Sequence, residues 1–206
     1  MTGSPILSAT GIAKRYRGKA VLQALDFTLC AGEIAAIIGE NGGGKSTLLS
    51  ILAGFIRADA GSVSRAGTCG YSPQSEWLYP YLTPDEHFRL FGAAANLPRE
   101  LVRTRAWELY EALHFGAFHA APVCELSGGT RQKLNLALSL LGDPAILLLD
   151  EPYHGFDAGS YERFWPPLER ARRQGKGVVL VSHLVLERSR FDRLLVLREG
   201  RLHEHA

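Results

Sequence analysis

Gly39-Glu40-Asn41-Gly42-Gly43-Gly44-Lys45-Ser46 is a glycine-rich run that closes on one cation and one hydroxyl, with Thr47 next in line. Its spacing is GxxxxGK[ST]. Glycines let successive backbone N–H groups turn inward and form a concave nest for an anion. A helix opening near Lys45 would bring its positive dipole end to the same point. Lys45 would then reach the outer phosphates of a nucleotide, and the Ser46 hydroxyl a divalent cation. A second stretch, "AILLLDEP", ends an apolar run on two adjacent acids, Asp150 and Glu151. In open α/β sheets ligands gather at the carboxyl ends of strands. Beside a phosphate loop, Asp150 is placed to hold a magnesium ion through water, and Glu151 to polarise an attacking water. Standing alone, the same pair would read equally well as two solvated acids.

These groups need a scaffold, and the hydrophobic pattern describes one. Short apolar runs alternate with longer helical patterns, which predicts an α/β fold with a mostly parallel sheet. "EIAAIIG" (33–39) reads as a buried strand leading into the glycine run. "KSTLLSILAG" (45–54) reads as the helix that leaves it, stopped by glycine. "AILLLD" (145–150) and "GVVLVSH" (177–183) read as two further buried strands, and "RLLVLREGRL" (193–202) as a closing strand and turn. The early segment, up to about residue 29, has the pieces of a small antiparallel sheet. From residue 83 to 141 nearly everything is helical in pattern. "TPDE" offers a capping box with Thr83 as cap, Pro84 at the first helical position and Glu86 reaching back. Leu101, Val102, Ala106, Leu109 and Leu113 recur at helical spacing. A helical segment, about residues 76–141, is therefore expected to be inserted in a single domain spanning 6–206.

The chain has 206 residues and a net charge of +2, too small for bulk electrostatics to imply a nucleic-acid or membrane partner. Cys30, Cys69 and Cys124 show no metal-ligand spacing and no CxxC pair, which fits reduced thiols. The start lacks the layout of a signal peptide. No stretch approaches the roughly 20 apolar residues that cross a bilayer.

The stretch "LSGGTRQ" (126–132) separates this chain from other phosphate-loop proteins. It is similar to the LSGGxxQ signature of ABC ATPases, and it opens the helical pattern "RQKLNLALSLL". Other family motifs follow in step. "YSPQ" supplies Gln74, similar to the Q-loop glutamine, "HGFD" supplies Asp157, similar to the D-loop, and "VSH" supplies His183, similar to the switch histidine. Tyr16 stands upstream of the phosphate loop where the family places an aromatic that stacks on adenine. The resemblance runs from about residue 6 to 202.

It implies a P-loop NTPase core with a small N-terminal antiparallel β subdomain and an inserted helical subdomain. ATP and Mg2+ would be bound by Tyr16, the loop from Gly39 to Thr47 and Asp150, with Gln74 and Ser46 toward the metal. Catalysis would fall to Glu151, His183 and Gln74. Two such domains would face each other head to tail, so that Ser127, Gly128 and Gly129 of one close over the nucleotide of the other, near Asp157. The implied role is the energising ATPase of a transporter. It would sit on the cytoplasmic face of the membrane against a separate permease, in an exporter by the look of residues 79–97 and 131–152, although the short segment before Gln74 is also similar to that of some metal importers. Trp77, Leu78, Tyr79 and Tyr81 would then meet the permease or else fill the core of the insert. The competing role is a soluble ABC ATPase acting on nucleic acid or ribosomes, for which no strong basic patch is visible.

The chain departs from the family pattern in places. Gly43 and Thr130 are mild changes. His154 replaces a serine near the D-loop. The hairpin before Gln74 looks trimmed. Pro166 and Pro167 fall inside a helical pattern and predict a break there.

Overall fold

The computed structural model describes residues 3–75, 77–183 and 187–205. Two long strands, β1 (Pro5–Tyr16) and β2 (Lys19–Cys30), pair antiparallel across a tight turn. β4 (Ala60–Arg65) joins the other edge of β1, giving a three-stranded sheet in the order β2-β1-β4. The link from β4 to the next strand is only residues 66–68.

The central sheet has six strands. Their order is β5 (Cys69–Ser72), β6 (Ile146–Asp150), β7 (Gly177–Ser182), β3 (Ile34–Ile38), β8 (Arg193–Arg198) and β9 (Arg201–Glu204). β5 through β8 run parallel, and only β9 returns antiparallel as a hairpin. The continuous apolar runs of β3, β6 and β7 follow from burial on both faces. Successive side chains point to opposite faces of a strand. Ala35, Ile37, Ile146, Leu148, Val179 and Val181 accordingly pack with Leu48, Leu49 and Leu52 of α1 (Lys45–Ala53) and with the inner face of the β1–β2 sheet. Their neighbours Ile34, Ala36, Leu147, Leu149, Val178 and Leu180 pack against the helices on the other side.

Those helices are α2 (Pro84–Ala94), α3 (Arg99–Leu113), α4 (Gly128–Leu140) and α5 (Ala158–Arg173). The capping box at α2 is present: Thr83 Oγ1 accepts from the Glu86 N–H, and Glu86 Oε2 accepts from the Thr83 N–H. On α3 the buried stripe is Val102, Ala106, Tyr110 and Leu113. Leu101 is exposed and Leu109 half-buried, while Tyr110 lies in the core.

Two expectations are corrected. β5 was not anticipated, because four residues flanked by a turn and a proline carry too little pattern. The break at Pro166 and Pro167 does not occur: α5 runs through both. The prolines remove the N–H partners of the Glu162 and Arg163 carbonyls, but both of those residues are exposed and water can solvate the freed groups. Phe164, Trp165, Leu168 and Ala171 hold the helix to the core before and after the prolines. No described helix is long and apolar enough to cross a membrane.

Candidate nucleotide site

The loop 39–44 joins the end of β3 to the start of α1. Gly44 caps the helix at φ 100°, in the left-handed region that side chains disfavour. A Cβ there would lie 2.9 Å from Val21 Cγ1 and 3.1 Å from the Val21 carbonyl oxygen, so only glycine fits the turn. Gly42 is also left-handed, at φ 76°. α2, α4 and α5 are each capped by a side chain, Thr83, Ser127 and Asp157 respectively. α1 has no side-chain cap. Its first backbone N–H groups are therefore available to an anion, and the helix dipole favours one there.

A cleft of about 350 Å³ lies at this helix start, lined by Tyr16, Val21, Asn41, Gly42, Gly44, Lys45, Ser46, Thr47, Gln74, Asp150 and Glu151. Tyr16, the glycine-rich loop, Gln74 and the acidic pair, separate in the sequence, thus meet at one place. Lys45 is largely buried, and its ammonium donates to the carbonyls of Gly39 (2.8 Å) and Glu40 (3.0 Å). Tyr16 is 44% exposed at the rim, with the Lys14 ammonium 5.5 Å from its ring centre. Gly39, Glu40 and Gly43 form the back of the loop and do not line the cleft.

The acids differ in their surroundings. Asp150 is only 1% exposed, and its Oδ1 has no hydrogen-bond partner. Burial raises its pKa first of all, a hydrogen bond from Ser46 lowers it, the neighbouring Glu151 charge raises it and Lys45 lowers it. A buried, half-satisfied carboxylate next to a serine hydroxyl is an oxygen donor set suited to a hard divalent cation. Glu151 has a left-handed backbone (φ 48°), a strained state for a non-glycine residue and one common at functional sites. Its carboxylate accepts three hydrogen bonds and keeps one acceptor position, on Oε2. Ser182 Oγ donates to Oε2 (2.9 Å), while the His183 N–H (2.8 Å) and ring Nδ1–H (2.9 Å) donate to Oε1. Because a carboxylate can only accept, Nδ1 of His183 carries the proton, and the ring reaches outward from Nε2. His183 thus stands beside Glu151 at the end of β7.

Ser127, Gly128, Gly129 and Asp157 do not line this cleft. Ser127 caps α4 by accepting from the Thr130 N–H (3.2 Å), and Asp157 caps α5 by accepting from Ser160 (2.7 Å). That backbone bond is the main reason the Asp157 carboxyl is held below its usual pKa. His154 is exposed, and its N–H donates to the Glu151 carbonyl. The start of α4 therefore lies outside the cleft at the start of α1. Sequence reasoning passed over Ser182, which anchors the Glu151 carboxylate, and Val21, which walls the cleft. A lone serine in a buried strand and a valine in an early strand carry no distinguishing spacing.

This arrangement defines a nucleotide-binding cassette with a phosphate loop at the end of a central parallel strand. The family model described as ABC transporter matches residues 22–154, and the chain belongs to that family. It is 35% identical over 211 residues to the "Nod factor export ATP-binding protein I" of Ralstonia nicotianae, covering 96% of this chain and 66% of that protein. The chain thus spans about two thirds of the length of that relative. A solved ATP-binding subunit of an ABC transporter superposes with a TM-score of 0.90 at 25% identity, over 98% of this chain and 90% of the other. The fold is shared too with the dimeric, post-hydrolysis state of the cassette MJ0796 bound to ADP and Pi (TM-score 0.88, 24% identity, 97% of this chain and 98% of that one). The protein is an ATP-binding cassette of the ABC ATPase class.

Proposed function

We propose that this chain binds and hydrolyses Mg-ATP to drive a transporter, in partnership with a separate integral membrane permease, and that the transporter exports its substrate. The observation that carries the reading is the meeting of the uncapped start of α1, Lys45, the half-satisfied Asp150 and Glu151 in one cleft. When bound there, Mg2+ would offset phosphate charge; Ser46 and Asp150 would hold it, with Gln74 close by. Lys45 and the α1 N–H groups bind and orient the phosphates. Tyr16 offers its ring to the adenine. Glu151 takes the proton of the attacking water, and His183 holds Glu151 in place.

The second helix start supports a head-to-tail pair. Ser127, Gly128 and Gly129 open α4 away from the cleft of their own chain, so they are free to close on the nucleotide of a facing copy or homologue. Asp157 caps the neighbouring α5. Closure of two chains would exclude water and assemble the catalytic set. Export is the direction named for the Ralstonia relative.

Docking to the permease fits a largely apolar groove of about 610 Å³, lined among others by Phe55, Tyr71, Trp77, Phe91, Leu97 and Leu138. Trp77 is 50% and Tyr81 84% exposed, which favours an interface over an internal core for these aromatics. The working position would be the cytoplasmic face of the membrane. The nucleic-acid alternative draws little from the surface: Arg172 pairs with Asp192, and Arg190 with Glu169 and Glu187.

The test is Mg2+-dependent phosphate release from ATP by the purified chain, alone and with the permease recovered from detergent-solubilised membrane. Release that requires Mg2+ and rises with the permease supports the reading. ATP binding without release in either setting contradicts it. Charged substitutions at Trp77 and Tyr81 should abolish recovery of the permease and leave ATP binding intact.

A further inference from the structure

Gln74 reaches the cleft from a loop, and something must fix the path of that loop. The chain enters it from β5 through Ser72 and Pro73. Proline cannot donate a backbone hydrogen bond, so the strand ladder stops there. The anchor comes from α4, more than sixty residues further along the chain. The Asn135 side-chain amide donates one proton to Ser72 Oγ (3.0 Å) and the other to the Pro73 carbonyl (2.9 Å). Asn135 and Ser72 are both buried. The Pro73 carbonyl can only accept, so the amide must present its nitrogen on this side. That carbonyl belongs to the peptide unit that carries the Gln74 nitrogen. One turn earlier on the same face of α4, Gln132 Nε2 donates to the Glu151 carbonyl (3.3 Å). One helix face therefore holds the backbone at two cleft residues, Gln74 and Glu151. The same helix begins at Ser127, Gly128 and Gly129.

We propose that Asn135 is a positioning residue for the Gln74 loop, and that through Asn135 and Gln132 the start of α4 is mechanically joined to the cleft of its own chain. This rests on the reading of Gln74 as a residue of the Mg-ATP cleft. A shift of α4 as Ser127 engages a facing nucleotide would be passed to Gln74 and Glu151 behind it. The two half-sites of one chain would then respond together.

The informative change is Asn135→Asp, which keeps the shape but sets an acceptor against the Pro73 carbonyl. Asn135→Ser, which is too short to reach, is the second variant should the first fail to fold. The probes are Mg2+ and ATP. In a folded variant, ATP affinity measured without Mg2+ should stay within about twofold of the parent, because the α1 start and Lys45 are untouched. Turnover should fall about tenfold, the scale of a buried acceptor left unpaired, and the half-saturating Mg2+ concentration should rise. Hydrogen exchange gives a readout independent of turnover. Amides of residues 71–78 should exchange faster, while those of α1 and β6 are unchanged.

Faster exchange confined to residues 71–78 together with the turnover loss upholds the proposal. Parent-like exchange and turnover in a folded variant overturn it, and so does a uniform rise in exchange with parallel losses of ATP affinity and turnover. A parent chain that itself releases no phosphate with or without the permease would instead overturn the underlying reading, leaving the exchange result to decide whether Asn135 holds the loop.

Discussion

Lys45, Tyr16 and His87 each do something that one substitution can expose. The Lys45 ammonium sits at the loop with two carbonyls as its partners and the phosphate nest beside it. Lys45→Ala should weaken ATP binding by roughly 10–150-fold, the loss of one charge-assisted contact, and equilibrium binding would measure it. Unchanged affinity would place the phosphates elsewhere. Tyr16→Ala should weaken ATP and GTP alike, since stacking does not read the base edge; equal affinity in variant and parent would assign Tyr16 to packing. His87 is fully buried, its Nδ1–H donating to the Thr83 carbonyl (2.8 Å) and its Nε2 accepting from the Tyr79 N–H (2.9 Å). Burial pushes its pKa below the ordinary 6.5, against the Thr83 bond and the Glu86 charge. As pH falls, the unfolded chain therefore takes up this proton first. The contribution of neutral His87 is complete above 6.5 and is lost below it, at up to about 1.4 kcal/mol per pH unit until the folded-state value is passed. Urea unfolding from pH 7.5 down to 5 should show a shallower pH slope in His87→Asn than in the parent, and equal slopes would contradict the assignment. At this scale the sequence shows the groups that carry known spacing, from Gly39 to Thr47 and at Asp150, Glu151, Gln74 and His183. Asn135, Ser182 and His87 were not legible, because their partners lie across the fold and a buried amide, hydroxyl or imidazole reads like any other in one dimension.

The elements were legible where periodicity ran long and caps were explicit. The start of α2 is written in Thr83, Pro84 and Glu86, and the end of α1 in Gly54, which caps it at φ 89°. β3, β6 and β7 are legible as apolar runs because both of their faces are covered. β5 was hidden: its four residues acquire strand geometry from pairing with β6, a long-range contact that no local pattern carries. α5 shows the opposite failure. A local rule about proline was overridden by tertiary packing of Phe164, Trp165 and Leu168. The prolines still leave two helix carbonyls without N–H partners. Pro166→Ala restores one helix N–H at an exposed position and should raise the unfolding free energy by about 1–3 kcal/mol, read from the urea midpoint at constant slope. A lower midpoint would mean that the prolines are required by the packing of α5.

At the scale of the molecule, the proposed reading divides the catalytic site between two places on the chain, only one of which lines the cleft. Lys45, Ser46, Asp150 and Glu151 line one cleft, while Ser127, Gly128 and Gly129 open a different helix. On the proposed reading, hydrolysis depends on a second chain. Glu151→Gln keeps the shape of the side chain but cannot take the water's proton, so turnover should fall by about 10²–10⁴-fold while ATP still binds. Removing that charge also lessens repulsion with the phosphate, so the ATP-bound pair should persist. The most direct measurement is size-exclusion chromatography with light scattering of Glu151→Gln, with and without saturating Mg-ATP, repeated with the permease present. The predicted result is a monomer mass without ATP and twice that mass with it, abolished by Ser127→Arg at the start of α4. A Glu151→Gln chain that binds ATP, releases phosphate at the parent rate and remains a monomer in both settings would contradict a site shared between two chains.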